Sequence, residues 1–139
     1  MDLSSTKTDN ITEILEKILE FTSRRDKILI RNIKQIHTKG FAPKDLDVTE
    51  FAELMSFAIA EHIRSERLLL CDTENIRFGA EGSFESPPIV DEYAKYLLEK
   101  DTKKYLELQI KKLSENLINN KVATELLEHK QCRSSASRN

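Results

Sequence analysis

The stretch Arg25-Asp26-Lys27-Ile28-Leu29-Ile30-Arg31-Asn32-Ile33-Lys34-Gln35-Ile36-His37-Thr38-Lys39-Gly40-Phe41-Ala42-Pro43-Lys44-Asp45-Leu46-Asp47 decides how this chain folds. It runs an apolar stripe into a sharp stop and a restart. Ile28, Leu29, Ile33 and Ile36 recur at helical spacing. Gly40 suits the left-handed backbone position just past a helix end, and Pro43 resists further helix. Asp47-Val48-Thr49-Glu50 then has the spacing of an N-terminal cap, so a second helix is expected to begin there.

Working outward toward the N-terminus, Asn10-Ile11-Thr12-Glu13 carries the same capping pattern, which predicts a helix from Asn10. Ile11, Ile14, Leu15, Ile18 and Leu19 begin its stripe, and about 28 residues of helix would span roughly 40 Å. Residues 1–9 read as a flexible N-terminus. In the other direction, Phe51, Leu54, Met55, Ala58, Ile59 and Ile63 line one face of a helix running to about Leu70. Residues 71–88, with Gly79, Gly82, Pro87 and Pro88, read as a long irregular loop that admits a short strand around Asn75 to Phe78, or a hairpin. From Ile89 a helical pattern is expected for nearly forty residues through Val90, Ala94, Leu97, Tyr105, Ile110, Leu113, Leu117 and Leu126. Its stripe shifts phase between Asp101 and Lys104, as a kink, a stutter in a coiled-coil seam or a change of packing partner requires. The tail 129–139 has too little apolar content to fold alone.

The expected fold is therefore mainly α, with two long amphipathic terminal helices and a shorter middle helix joined through the loop, forming a single helical domain over 10–128. Composition agrees. The 139 residues are 39% hydrophobic, 33% charged and 6% aromatic with no tryptophan, which excludes a multidomain chain and argues against an all-β sandwich. No apolar run is long enough to span a membrane, and the first ten residues lack a cationic region followed by an apolar core, so no cleaved signal peptide is expected.

Charge is distributed in blocks. Residues 1–23 carry −3, 24–44 carry +6, 45–99 carry −9 and 100–139 carry +4. Opposite blocks suit contacts between copies, because complementary patches steer association and disfavour wrong registers. The basic run Arg24, Arg25, Lys27, Arg31 and Lys34 has no interleaved aromatic residues and lies on a chain of net charge −2, so no nucleic-acid partner is expected.

Catalytic chemistry finds no foothold. His37, His62 and His129 stand far apart, Cys71 and Cys132 form neither a metal pair nor a disulfide framework, and no phosphate cradle or nucleophile elbow occurs. The expectation is a protein that is not an enzyme, with no catalytic, cofactor-binding or metal residues, no cofactor and no small-molecule substrate.

Arg25, Ile28, Leu29, Asn32, Ile33, Thr38, Gly40, Asp45 and Asp47, in this order and spacing, resemble the N-terminal signature of bacterial flagellar rod and hook subunits, most closely the proximal-rod family. In that signature a helix runs into a Thr-Pro-Gly-Tyr turn followed by an Asp-x-Asp pair. Here Lys39 stands for the proline and Phe41 for the tyrosine, and Asp101 to Tyr105 stand where the family has an Asn-x-x-x-Tyr.

The resemblance implies a structural subunit of the flagellar basal-body rod, exported without a cleaved signal, resident in the periplasmic rod and self-assembling through coiled terminal helices to transmit torque. Implied partners are other copies, other rod proteins and the export-gate or MS-ring adaptor beneath them. The turn motif is expected in Asn32, Thr38, Gly40, Phe41, Asp45 and Asp47, with Asn32 bonding turn backbone and Phe41 plugging onto the helical layer. The assembly seam is expected in Ile14, Ile18, Ile28, Leu29, Ile33, Leu97, Tyr105, Ile110, Leu113 and Leu117. The alternative class is a soluble cytoplasmic helical adaptor or secretion-chaperone-like binding protein, in which the same residues form the core of one molecule.

Overall fold

A computed structural model describes residues 9–79 and 84–137 of the chain; most of the expected flexible N-terminus and the last two residues lie outside them. The protein is mainly helical. In order it forms α1 (Asn10–Lys34), β1 (Lys44–Asp45), α2 (Val48–Ser65), β2 (Arg77–Phe78), β3 (Phe84–Glu85), β4 (Ile89–Val90), α3 (Glu92–Lys100) and α4 (Thr102–Ser137). The strands pair antiparallel as β1 with β4 and β2 with β3.

The helix ends show which polar side chains win the orphan amides. Asp9, not Asn10, caps α1, accepting from the Ile11 N–H at 3.0 Å. Asn10 is already helical, and its amide instead donates to the Glu66 carbonyl at 3.0 Å and lies 3.1 Å from His62 Nδ1. Helix α1 ends at Lys34, and Gly40 takes φ +78° in the turn that follows. Asp47 caps α2 as expected, accepting from the Glu50 N–H at 3.0 Å. That helix stops at Ser65, short of Leu70, where Glu66 adopts φ 57°.

Ile89 and Val90 do not open the C-terminal helix. They form β4, in register with Asp45 and Lys44, and Asp91 then caps α3 by accepting from the Ala94 N–H at 3.0 Å. The phase shift in the stripe is a complete break: Asp101 is extended, its N–H closes α3 on the Leu97 carbonyl at 2.7 Å, and its carboxylate accepts from the Lys104 N–H at the start of α4. The backbone of α4 stays helical to Ser137, nine residues past Glu128, where a flexible tail was expected.

Helix α1 is the central element, with α2 on one side and α4 running antiparallel along it. The α1–α2 contact is built on aromatic rings: Phe21 and Phe51 stack at 3.9 Å, and Phe84 of β3 meets both edge-on at 6.3 and 5.8 Å. Ile14, Leu46, Met55, Ala58 and Ile76 complete that core. Ala94, Leu97 and Tyr105 form a second core at the α3–α4 corner, packed by Ile36, Leu98 and Leu106. Ile59 and Ile63, expected on the buried face of α2, are exposed, at 39% and 76%.

Candidate assembly site

Between the two apolar cores, α1 and α4 meet through polar residues. On α4, Tyr105, Gln109, Lys112 and Asn116 recur at steps of four, three and four, the period of a coiled-coil seam. Thr22, Arg25, Leu29 and Asn32 face them from α1. The Asn116 amide donates to the Thr22 carbonyl at 2.7 Å, the Asn120 amide to the Thr22 hydroxyl at 2.8 Å, and the Tyr105 hydroxyl to the Asn32 carbonyl at 2.8 Å. A helix interface made this way has one register, since any slip leaves buried amides unpaired.

Asn32 ties the reversal to this seam. Its Nδ2 donates to the Lys44 carbonyl at 2.8 Å and to Gln109 Oε1 at 3.0 Å, while its Oδ1 accepts from the Lys44 N–H at 3.1 Å. The carboxamide thus pairs with both backbone groups of Lys44, as a neighbouring strand would, and closes the free edge of β1. Gln109 Nε2 is buried and has no hydrogen-bond partner among the described residues.

A charged cluster continues the clamp. Arg25 holds Asp45 with two bonds of 2.8 and 3.0 Å, and Lys112 reaches Asp45 at 3.0 Å and Asp91 at 2.6 Å. One cluster therefore joins α1, β1, the start of α3 and α4. Burial works against ionised Asp45, but the hydrogen bonds from Arg25 and Lys112 outweigh it and hold its carboxyl below the usual range. Burial likewise opposes charged Lys112, and the two carboxylates win, raising its ammonium above the ordinary value. Burial, with Asp91 nearby, pushes the Tyr105 hydroxyl up to about 12.

The residues of the turn motif separate by role. Asn32 bonds turn backbone, as its position predicted; Asp45 is an ion-pair centre rather than only a turn residue; Asp47 caps α2. Thr38 is exposed and binds Gln35 through both its N–H and its hydroxyl. Phe41 is half-buried, with its N–H on the Thr38 carbonyl, and belongs to neither apolar core. It lines a cleft of about 910 Å³ with Arg24, Lys27, Arg31 and Lys44. Arg24 pairs with Glu20 and lies 5.0 Å over the Phe84 ring; among the described residues the other three have no carboxylate partner.

The expected seam residues fall into two sets. Ile14, Leu29, Leu97 and Tyr105 are buried inside this one chain, and Ile18, Ile28, Ile33 and Leu113 are partly covered. Ile110 and Leu117 are exposed at 54% and 51%. The residues that hold the helix pair together, Thr22, Arg25, Gln109, Lys112 and Asn116, escape a search for apolar periodicity because they are polar. Applying the same four-three spacing to amides and charges would have exposed them. Cys71 and Cys132 are free and exposed.

Comparison of the chain with protein-family models, with curated proteins and with solved structures found no match.

Proposed function

We propose that this chain is a structural subunit of the bacterial flagellar basal-body rod, of the proximal-rod type, and that its two long end helices form the coiled unit that packs against neighbouring subunits. The reading rests on one observation: the residues that carry the resemblance are the residues that lock the helix pair to its turn. Arg25 binds Asp45, Asn32 pairs with Lys44, Gly40 turns left-handed and Asp47 opens α2. A torque-bearing subunit needs such a clamp, because a helix pair that slips in register cannot pass on load. The exposed Ile110 and Leu117, and the cations of the cleft at Phe41, supply adhesive and steering surface for other copies and other rod proteins. The site of action under this reading is the periplasmic rod, reached by flagellar export without a cleaved signal, next to the export-gate or MS-ring adaptor.

Deleting the gene should abolish motility and leave cells without assembled rods, and expressing the chain in trans should restore both. A second reading, a cytoplasmic helical adaptor or secretion chaperone, draws on the burial of Ile14, Leu29 and Tyr105 within one molecule. It predicts that rods still form in the deletion strain.

A further inference from the structure

Each seam position of α4 is followed by an apolar residue: Tyr105 by Leu106, Gln109 by Ile110, Lys112 by Leu113, Asn116 by Leu117. One residue is a rotation of about 100°, so these four form a second stripe beside the polar seam. Helix α1 repeats the pattern with Ile30 after Leu29 and Ile33 after Asn32. In an antiparallel pair the same rotation turns both stripes to the same side, away from the groove that α2, Val122 and Leu126 share. The result is one apolar face across α1 and α4 in which Ile110 and Leu117 are about half exposed, Ile30, Ile33 and Leu113 are partly covered, and Leu106 also packs on the α3–α4 core.

Charge divides the same helix pair end to end. Residues 24–44 with 100–112, at the turn end, carry +9, which the ion-paired Asp45 and Asp91 reduce to +7. Residues 9–23 with 113–130, at the far end, carry −4. A second copy laid alongside in the same direction brings basic end to basic end. Shifting it lengthwise to escape that contact uncovers a stripe only about 16 Å long.

We infer that the face formed by Leu106, Ile110, Leu113, Leu117, Ile30 and Ile33 binds a second copy of this chain, antiparallel, in a closed two-fold pair. Leu106 then meets the partner's Leu117, and Ile110 meets the partner's Leu113. Each basic end lies beside the partner's acidic end, which sets orientation, while the apolar rungs supply cohesion. A closed pair caps the stripe, so lateral growth through this face waits for the pair to separate. The inference stands on the face and the charges and does not require the rod reading, which is decided by where the chain resides.

Disulfide trapping in a Cys71→Ser/Cys132→Ser background tests it. A mixture of Leu106→Cys and Leu117→Cys proteins should form the mixed dimer, whereas Leu106→Cys alone should not crosslink. Self-crosslinking of Leu106→Cys with none in the mixture overturns the antiparallel arrangement. In sedimentation, Ile110→Asp/Leu117→Asp should weaken self-association at least tenfold with helicity retained; unchanged association, or a wild-type chain that stays monomeric at 100 μM, overturns the pair. Glu115→Lys/Glu125→Lys/Glu128→Lys should weaken association, and adding Lys100→Glu/Lys103→Glu/Lys104→Glu in the same chain should restore it. No recovery would overturn the role given to charge.

Discussion

Two faces of the same α1–α4 pair, one residue apart in register, are built on opposite chemistry. The inner face joins Thr22, Arg25 and Asn32 to Gln109, Lys112 and Asn116 through amides and ions, and the outer face of α4 presents Leu106, Ile110, Leu113 and Leu117. Apolar contacts tolerate sliding because they are non-directional. Buried amides do not, since each unmet donor or acceptor costs free energy. The molecule therefore uses directional interactions to hold α1 and α4 in one register, while Ile110 and Leu117 on the adjacent face stay about half exposed.

The inner face should break most severely at its charge centre. Asp45→Ala leaves Arg25 buried without its carboxylate and Lys112 with Asp91 alone, and urea unfolding should show a loss of about 3 kcal/mol. The same centre predicts the pH dependence. Asp45 is held below its ordinary value of 3.8, so its contribution is present above about that pH and is lost as pH falls through the depressed value. Lys112 lies above 10.5 and Tyr105 at about 12, so their contributions are intact below about pH 10 and are lost as pH rises beyond it. Urea midpoints across the pH range should fall at both extremes, and the acid fall should be blunted in Asp45→Ala.

Asn32→Ala comes next. It orphans the Lys44 N–H and carbonyl and Gln109 Oε1, and should cost about 2 kcal/mol by the same assay. A double-mutant cycle with Gln109→Ala should show coupling between the two. At the turn, nothing lies within 4 Å of a Cβ added at Gly40, so space is not the obstacle; φ +78° is. Gly40→Val should cost about 1–2 kcal/mol from backbone strain and should reduce motility in a complementation assay. Substitutions on the outer face should barely register in stability. Leu117→Ser should shift unfolding by less than about 0.5 kcal/mol, and its effect should be read in sedimentation instead.

Local signals were legible where one residue type answers one backbone need. Asp47 four residues before Phe51 and the phase shift at Asp101 place a cap and a break correctly; Gly40 takes the left-handed φ expected of it, but in a turn six residues past Lys34, and α1 itself closes at Gln35 with φ −92°. Where two neighbours compete, as at Asp9 and Asn10, the outcome turned on Glu66 and His62, over fifty residues away. Ile89 and Val90 fit a helical stripe equally well, and only their pairing with Lys44 and Asp45 makes them a strand. The polar seam was the largest omission. Hydrophobic periodicity cannot report an interface whose contacts are Asn, Gln, Arg and Lys; it picks out Ile110 and Leu117 and passes over Gln109 and Asn116, one position earlier, which bind α1.

The central claim is that this clamped helix pair is a building block of the rod. Quantitative mass spectrometry of basal bodies purified with detergent tests it most directly. The account predicts the chain at a fixed stoichiometry to the other rod proteins, retained after high-salt washing. Its absence from such particles, with the chain recovered only in the cytoplasmic fraction of motile cells, would contradict it.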